Sequence, residues 1–130
     1  TELEATLRAA KSMNFNHVWA VFQPFTFSRT ALLLDDFARV LKIADKCVIT
    51  AIMGSREKNT YNIYDKDLGN KVGGAVWFGD EQDHDRNFEL CAEYVSSHAE
   101  DGDLILTMGC GDINKCAWLI LDKLKARFGE

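Results

Sequence analysis

Four short apolar runs, rich in β-branched and aromatic residues, recur along the chain: His17 to Pro24, Lys46 to Gly54, Ala75 to Gly79 and Asp103 to Gly109. None alternates apolar with polar positions as a strand with one wet face would. Strands covered on both faces read this way, and they occur in parallel sheets flanked by helices. Between the runs, apolar residues return at the 3.6-residue helical period. Leu33, Phe37, Val40, Leu41 and Ala44 form one such set; Phe88, Cys91, Ala92 and Val95 form another; Ile113, Ala117, Ile120, Leu121, Leu124 and Phe128 form a third. A first helix is predicted over Thr1 to Met13, and a short one over Asp65 to Val72, stopped by Gly73-Gly74.

The resulting order is α-β-α-β-α-β-α-β-α. Parallel neighbours cannot be joined by a tight turn, so the helices serve as crossovers. The fold class is therefore α/β: a doubly wound, mostly parallel sheet with helices on both faces. No internal linker or repeat interrupts the pattern, and residues 1–130 read as one domain. The polar stretch Ser55 to Asp67 is the one long loop.

Composition narrows the function classes. At 130 residues, 47% hydrophobic and with a single proline, the chain is long and apolar enough for one core without staples. No apolar run approaches the roughly 18–20 residues that span a bilayer. No basic segment followed by an apolar one opens the chain, so the expectation is a cytoplasmic protein. The net charge of −5 is spread along the chain, which argues against a nucleic-acid partner. Of the four cysteines, Cys47 lies in a strand-like run, Cys91 and Cys116 fall at apolar helical positions, and Cys110 stands between two glycines. None forms a C-x-x-C pair, and they read as small buried hydrophobes kept reduced.

In open α/β sheets ligands bind beyond the carboxyl ends of the strands. Four loops qualify: Gln23 to Thr30, Gly54 to Asn59, Gly79-Asp80-Glu81-Gln82, and Gly109-Cys110-Gly111-Asp112. Arg29 lies at the start of a helix, where acidic residues are usually preferred. Two readings are open: a guanidinium gripping a carboxylate or phosphate, or a surface arginine paired with Asp35 or Asp36. In the last loop glycine permits close approach of backbone to a ligand, and Asp112 can cap the following helix. The loop lacks both G-x-G-x-x-G and the G-K-[ST] ending of a phosphate-binding loop. His17, His84 and His98 have no metal-ligand spacing and read as surface or edge residues.

At three places the residues resemble one family. Thr1-Glu2-Leu3-Glu4-Ala5-Thr6-Leu7 is similar to the tail of H-H-P-T-E-I-x-A-T-L, Phe22 to Thr30 to F-Q-P-H-[RT]-[YF]-S-R-T, and Leu106 to Ile113 to L-T-M-G-A-G-D-I. These motifs belong to the Mur ligases, in their alanine-adding branch, and the resemblance covers the C-terminal domain over essentially all 130 residues. Ser55 to Asn59 resembles the family's R-E-[KN] loop. The resemblance implies a Rossmann-like domain of a three-domain enzyme, with the remaining domains encoded before Thr1. It implies ATP-driven formation of an acyl phosphate on UDP-N-acetylmuramate and attack by the amine of L-alanine. ATP and magnesium are expected in the full-length enzyme and not bound tightly by this domain, which by itself is expected to be inactive.

By the same resemblance, the substrate-binding residues are Gln23, Phe25, Thr26, Ser28 and Arg29. Arg56, Glu57, Gly109, Gly111 and Asp112 are loop candidates. No complete catalytic set and no metal site is expected in these residues. Phe25 stands where the family usually has histidine, and Cys110 where it has alanine. Two alternatives stay open: a related ligase for another amino acid or a recycled peptide, and a stand-alone binding domain of the same fold.

Overall fold

The computed structural model describes residues 2–78, 83–109 and 111–129. In chain order the elements are α1 (Glu2–Lys11), β1 (Val18–Phe22), α2 (Phe27–Leu32), α3 (Leu34–Leu41), β2 (Lys46–Ile49), α4 (Asp65–Val72), β3 (Val76–Trp77), α5 (His84–His98), β4 (Leu104–Met108) and α6 (Asn114–Phe128). All strand pairs are parallel and the sheet order is β3-β2-β1-β4. The α/β class and the alternating order are as the pattern predicts.

Side-chain alternation along β1 divides the core in two. Val18, Ala20 and Phe22 point into the layer of α1, α3 and α4, with Leu7, Val40, Leu41 and Leu68. Trp19 and Val21 point into the layer of α5 and α6, with Phe88, Cys91, Val95, Cys116 and Ile120. Each layer needs an apolar strand face, which is why β1 is buried at every position. Within α4, Gly69 gives up helix propensity of about 1 kcal/mol, and a Cβ there would lie 2.4 Å from the Trp77 ring. Its absence lets α4 settle on β3.

Three expectations need correction. First, the predicted runs are longer than the strands, and the edge strands are not covered on both faces. β3 is only Val76–Trp77, and every residue of β3 and β4 is half-buried because neither has a second neighbouring strand among the described residues. Second, the helix expected around Leu33 is two helices, α2 and α3, meeting at Leu33 with φ −105° and ψ 16°. Periodicity records which side is buried and not whether the axis stays straight. α2 is anchored at the end of β1, while α3 lays Ala38, Val40 and Leu41 on the sheet. Third, His17 is no mere edge residue. Its Nδ1 lies 2.9 Å from the carboxylate of Asp103, whose side chain is 1% exposed and also accepts from the Trp19 indole N–H at 2.9 Å. This network joins the amino ends of β1 and β4.

Among the described residues no helix is long and apolar enough to cross a membrane.

Candidate active-site crevice

The order β3-β2-β1-β4 fixes where a crevice must form. After β1 the chain turns to the α3 side; after β4 it turns to the α6 side. The loops leaving these adjacent strands diverge to opposite faces, and the gap between them is the switch point of the sheet.

Gln23, the first residue after β1, is fully buried. Its N–H continues the ladder to the Met108 carbonyl at 3.0 Å. Its carboxamide Nε2 donates to Asp112 Oδ1 at 3.2 Å, while Oε1 has no partner among the described residues. Gly109 and Gly111 close over this side chain. A Cβ on Gly109, which has φ +153°, would lie 2.8 Å from the Gln23 carbonyl oxygen; one on Gly111 would lie 2.6 Å from Gln23 Oε1. The two glycines are therefore explained by close approach, though of protein to protein.

Asp112 does not cap α6, contrary to expectation: the N-cap position is Ile113, and no side chain caps it. The Asp112 carboxylate turns instead to Gln23 and to Lys115 Nζ at 3.6 Å. Burial works to raise its pKa, but the Gln23 amide, its own N–H and the charges of Lys115 and His84 outweigh burial and hold it below the usual value. His84, expected at the surface or an edge, is half-buried, with its Nδ1 buried and without a partner among the described residues.

Beyond Gln23 the loop is tied to the one after β2. Phe25 bridges Met53, Thr26 N–H donates to the Met53 carbonyl at 2.8 Å, and Met53 N–H donates to the Pro24 carbonyl at 2.9 Å. Thr26 sits at φ 60° and ψ 147°, an uncommon conformation for a β-branched residue. Its hydroxyl accepts from Arg29 N–H at 3.3 Å, and its carbonyl accepts from the buried Thr30 hydroxyl at 2.7 Å. Glu57 reaches across to take both Ser28 N–H at 2.9 Å and Ser28 Oγ at 2.5 Å. The Ser28 hydroxyl and then its N–H lower the Glu57 pKa. Gly54 lies under the Phe27 ring, where a Cβ would meet Cε2 at 2.4 Å.

Arg29 is exposed on the first turn of α2, and among the described residues its guanidinium has no partner. The surface-pair reading fails: Asp35 pairs with Lys71 at 2.9 Å and Asp36 with Arg39 at 2.7 Å. Arg56 is exposed and likewise without a partner among these residues. The structure thus brings Gln23 together with Gly109, Gly111 and Asp112, and Phe25, Thr26 and Ser28 together with the loop of Glu57. The loop Gly79-Asp80-Glu81-Gln82, Cys110 and Thr1 lie outside the described residues.

Two participants escaped sequence reasoning. His84 has no local signal. Asn87 has one, as a polar residue on the apolar stripe of α5: fully buried, it accepts from Ala51 N–H at 3.0 Å and donates to the Phe78 carbonyl at 2.9 Å, joining the carboxyl ends of β2 and β3.

The family profile described as "Mur ligase, glutamate ligase domain" matches residues 1–111. UDP-N-acetylmuramate–L-alanine ligase of Caldicellulosiruptor saccharolyticus is 45% identical over 123 residues, 95% of this chain and 26% of that protein. The enzymes of the same name from Acetivibrio thermocellus and Clostridium botulinum are 41% and 42% identical, over 93% and 88% of this chain and 25% and 24% of their own lengths. The chain thus spans about a quarter of the length of these relatives. With the parallel sheet, the crevice at its switch point and the profile match over most of its residues, the chain belongs to the Mur ligase family, as its C-terminal domain.

Proposed function

We propose that these residues are the C-terminal domain of a three-domain, ATP-dependent ligase that joins L-alanine to UDP-N-acetylmuramate, and that their part is to hold the amino acid and close over the other domains. The observation that carries this reading is Arg29: an exposed guanidinium free of protein partners among the described residues, on a loop whose backbone is tied at Thr26, Ser28 and Met53. A guanidinium held in this way is ready to take the carboxylate of alanine with two parallel hydrogen bonds. The names of the relatives support alanine as the amino acid.

Among the described residues no group of three His, Cys, Asp or Glu side chains can hold a metal ion, and the sequence has no phosphate-binding loop. Magnesium, ATP and the uridine nucleotide belong on this reading to the other three-quarters of the protein, and the reaction to the cytoplasm. The full-length enzyme activates the muramyl carboxylate as an acyl phosphate, the alanine amine attacks it, and phosphate leaves. Closure of this domain positions the amine and excludes water from the hydrolysable intermediate.

The test is alanine-dependent phosphate release by the full-length enzyme carrying Arg29→Ala. Truncating one partner of a charge pair that is desolvated on closure costs about 2–5 kcal/mol, or roughly 30- to 5000-fold in kcat/KM for alanine. The KM for the uridine nucleotide stays as it was. A change in alanine kcat/KM within about twofold would sink the assignment.

A further inference from the structure

The motif residue Gln23 resembles a substrate contact in sequence, yet it is fully buried and faces Asp112. We infer that Gln23 is a positioning residue: its carboxamide is a strut that locks the turn after β4 onto the loop after β1, so that the two halves of the amino-acid site hold one relative geometry. This rests on the alanine-site reading above.

Four observations converge on the strut. The Gln23 backbone N–H is the last rung of the β1–β4 ladder, at 3.0 Å from the Met108 carbonyl. Its side chain then crosses the gap to Asp112 Oδ1 at 3.2 Å, joining residues 89 positions apart. Gly109 and Gly111 leave no room for a side chain above it. Its carbonyl oxygen Oε1 is held without a hydrogen bond among the described residues, a cost accepted while Nε2 faces the carboxylate. A residue kept merely to fill this volume would be apolar, because burying an amide costs free energy that a methylene of the same size does not. The next residue, Pro24, carries the loop that leads to Arg29, so a slip of the strut moves the loop relative to Asp112.

Among the described residues the titratable groups that act on Asp112 are Lys115 on α6, 3.6 Å away, and His84 on α5, in addition to the Gln23 amide. Replacing that amide by a carboxyl gives a clean test. In Gln23→Glu two carboxyl groups meet at about hydrogen-bond distance, so the second ionises only at raised pH. With one proton, the new acid donates to Asp112 and the strut is rebuilt; without it, the two repel.

The experiment measures alanine and nucleotide kinetics of the full-length enzyme from about pH 5.5 to 9 for wild type, Gln23→Glu and Gln23→Met, with thermal unfolding of each. The strut predicts that the Gln23→Glu KM for alanine is near wild type at the acidic end and rises about tenfold or more with pH, following one proton, while the KM for the uridine nucleotide does not follow it. Gln23→Met, which fills the volume without donating, raises the alanine KM about tenfold at every pH. A wild-type-like alanine KM in Gln23→Met, or a pH profile of Gln23→Glu parallel to wild type, overturns the inference. Should Gln23→Met fail to fold, the Gln23→Glu profile decides alone. If wild-type enzyme does not use alanine at all, the functional reading falls, and the same profiles taken with the amino acid it does use still decide the strut.

Discussion

Gly109→Ala tests whether the crevice is built on close approach of β4 to β1. The new Cβ would lie 2.8 Å from the Gln23 carbonyl oxygen and 3.1 Å from its Cβ. The oxygen is backbone, and Gln23 is itself tied to Met108, so it can yield only by disturbing the end of the ladder. Overpacking of this kind costs about 1–3 kcal/mol, to which a positive φ adds about 1–3 kcal/mol for any residue with a Cβ. Gly74 supplies the control: it too has positive φ, at +76°, but a Cβ there meets nothing within 4 Å. Gly109→Ala should therefore be less stable than Gly74→Ala by about 1–3 kcal/mol, or roughly 4–12 °C in Tm for a domain of this size. Thermal unfolding of the 130-residue chain followed by circular dichroism reads the difference. Equal melting of the two variants would mean that backbone conformation alone accounts for the cost, and the close-approach argument would fail.

Three further outcomes are expected. Asp103→Asn should lose about 1.5–3 kcal/mol in urea unfolding, since a charged acceptor of the Trp19, Glu100 and His17 bonds becomes neutral. Burial opposes ionisation of Asp103, but those bonds hold its pKa below the ordinary 3.8, so its contribution is complete above that value and fades as pH falls through the folded value; a wild-type-to-variant gap that stays constant from about pH 5 to about pH 2.5 would contradict this. Glu57→Ala removes both bonds to Ser28 and should raise the KM for alanine in the full-length enzyme without altering that for the nucleotide; an equal rise in both would count against a substrate-loop role. Burial pushes the thiols of Cys47 and Cys116 up to about 12 and that of Cys91 upward as well, so none of the three should react with a thiol reagent at about pH 8 until the chain is unfolded.

The fold was legible where the signal is local. Val18 to Phe22, apolar at every position, marked a strand covered on both faces, and Val40 and Leu41 marked the inner side of α3. Half-burial of β4 was not legible, because Leu104 to Met108 is nearly as apolar as β1 and exposure depends on having a neighbour. In the site, the special character of Arg29 and the two glycines of the last loop could be seen. What Arg29 does not bind could not: Asp35 and Asp36 are close in sequence but taken by Lys71 and Arg39. The tie of Glu57 to Ser28, 29 positions apart, left no mark in either loop.

By itself the sequence determined the alternation of strand and helix, the side each helix buries and the loops able to carry chemistry, since these follow from continuous apolar runs, the 3.6-residue period and glycine placement. Only the tertiary structure decided that β4 returns beside β1 rather than beside β3, and with that everything in the crevice. Strand order is set by crossovers and by the packing of whole layers, which no short window of residues records. That placement buried Gln23 against Asp112, turned the Asp112 carboxylate from the start of α6 to the Gln23 amide, and left the Arg29 guanidinium without a partner among the described residues.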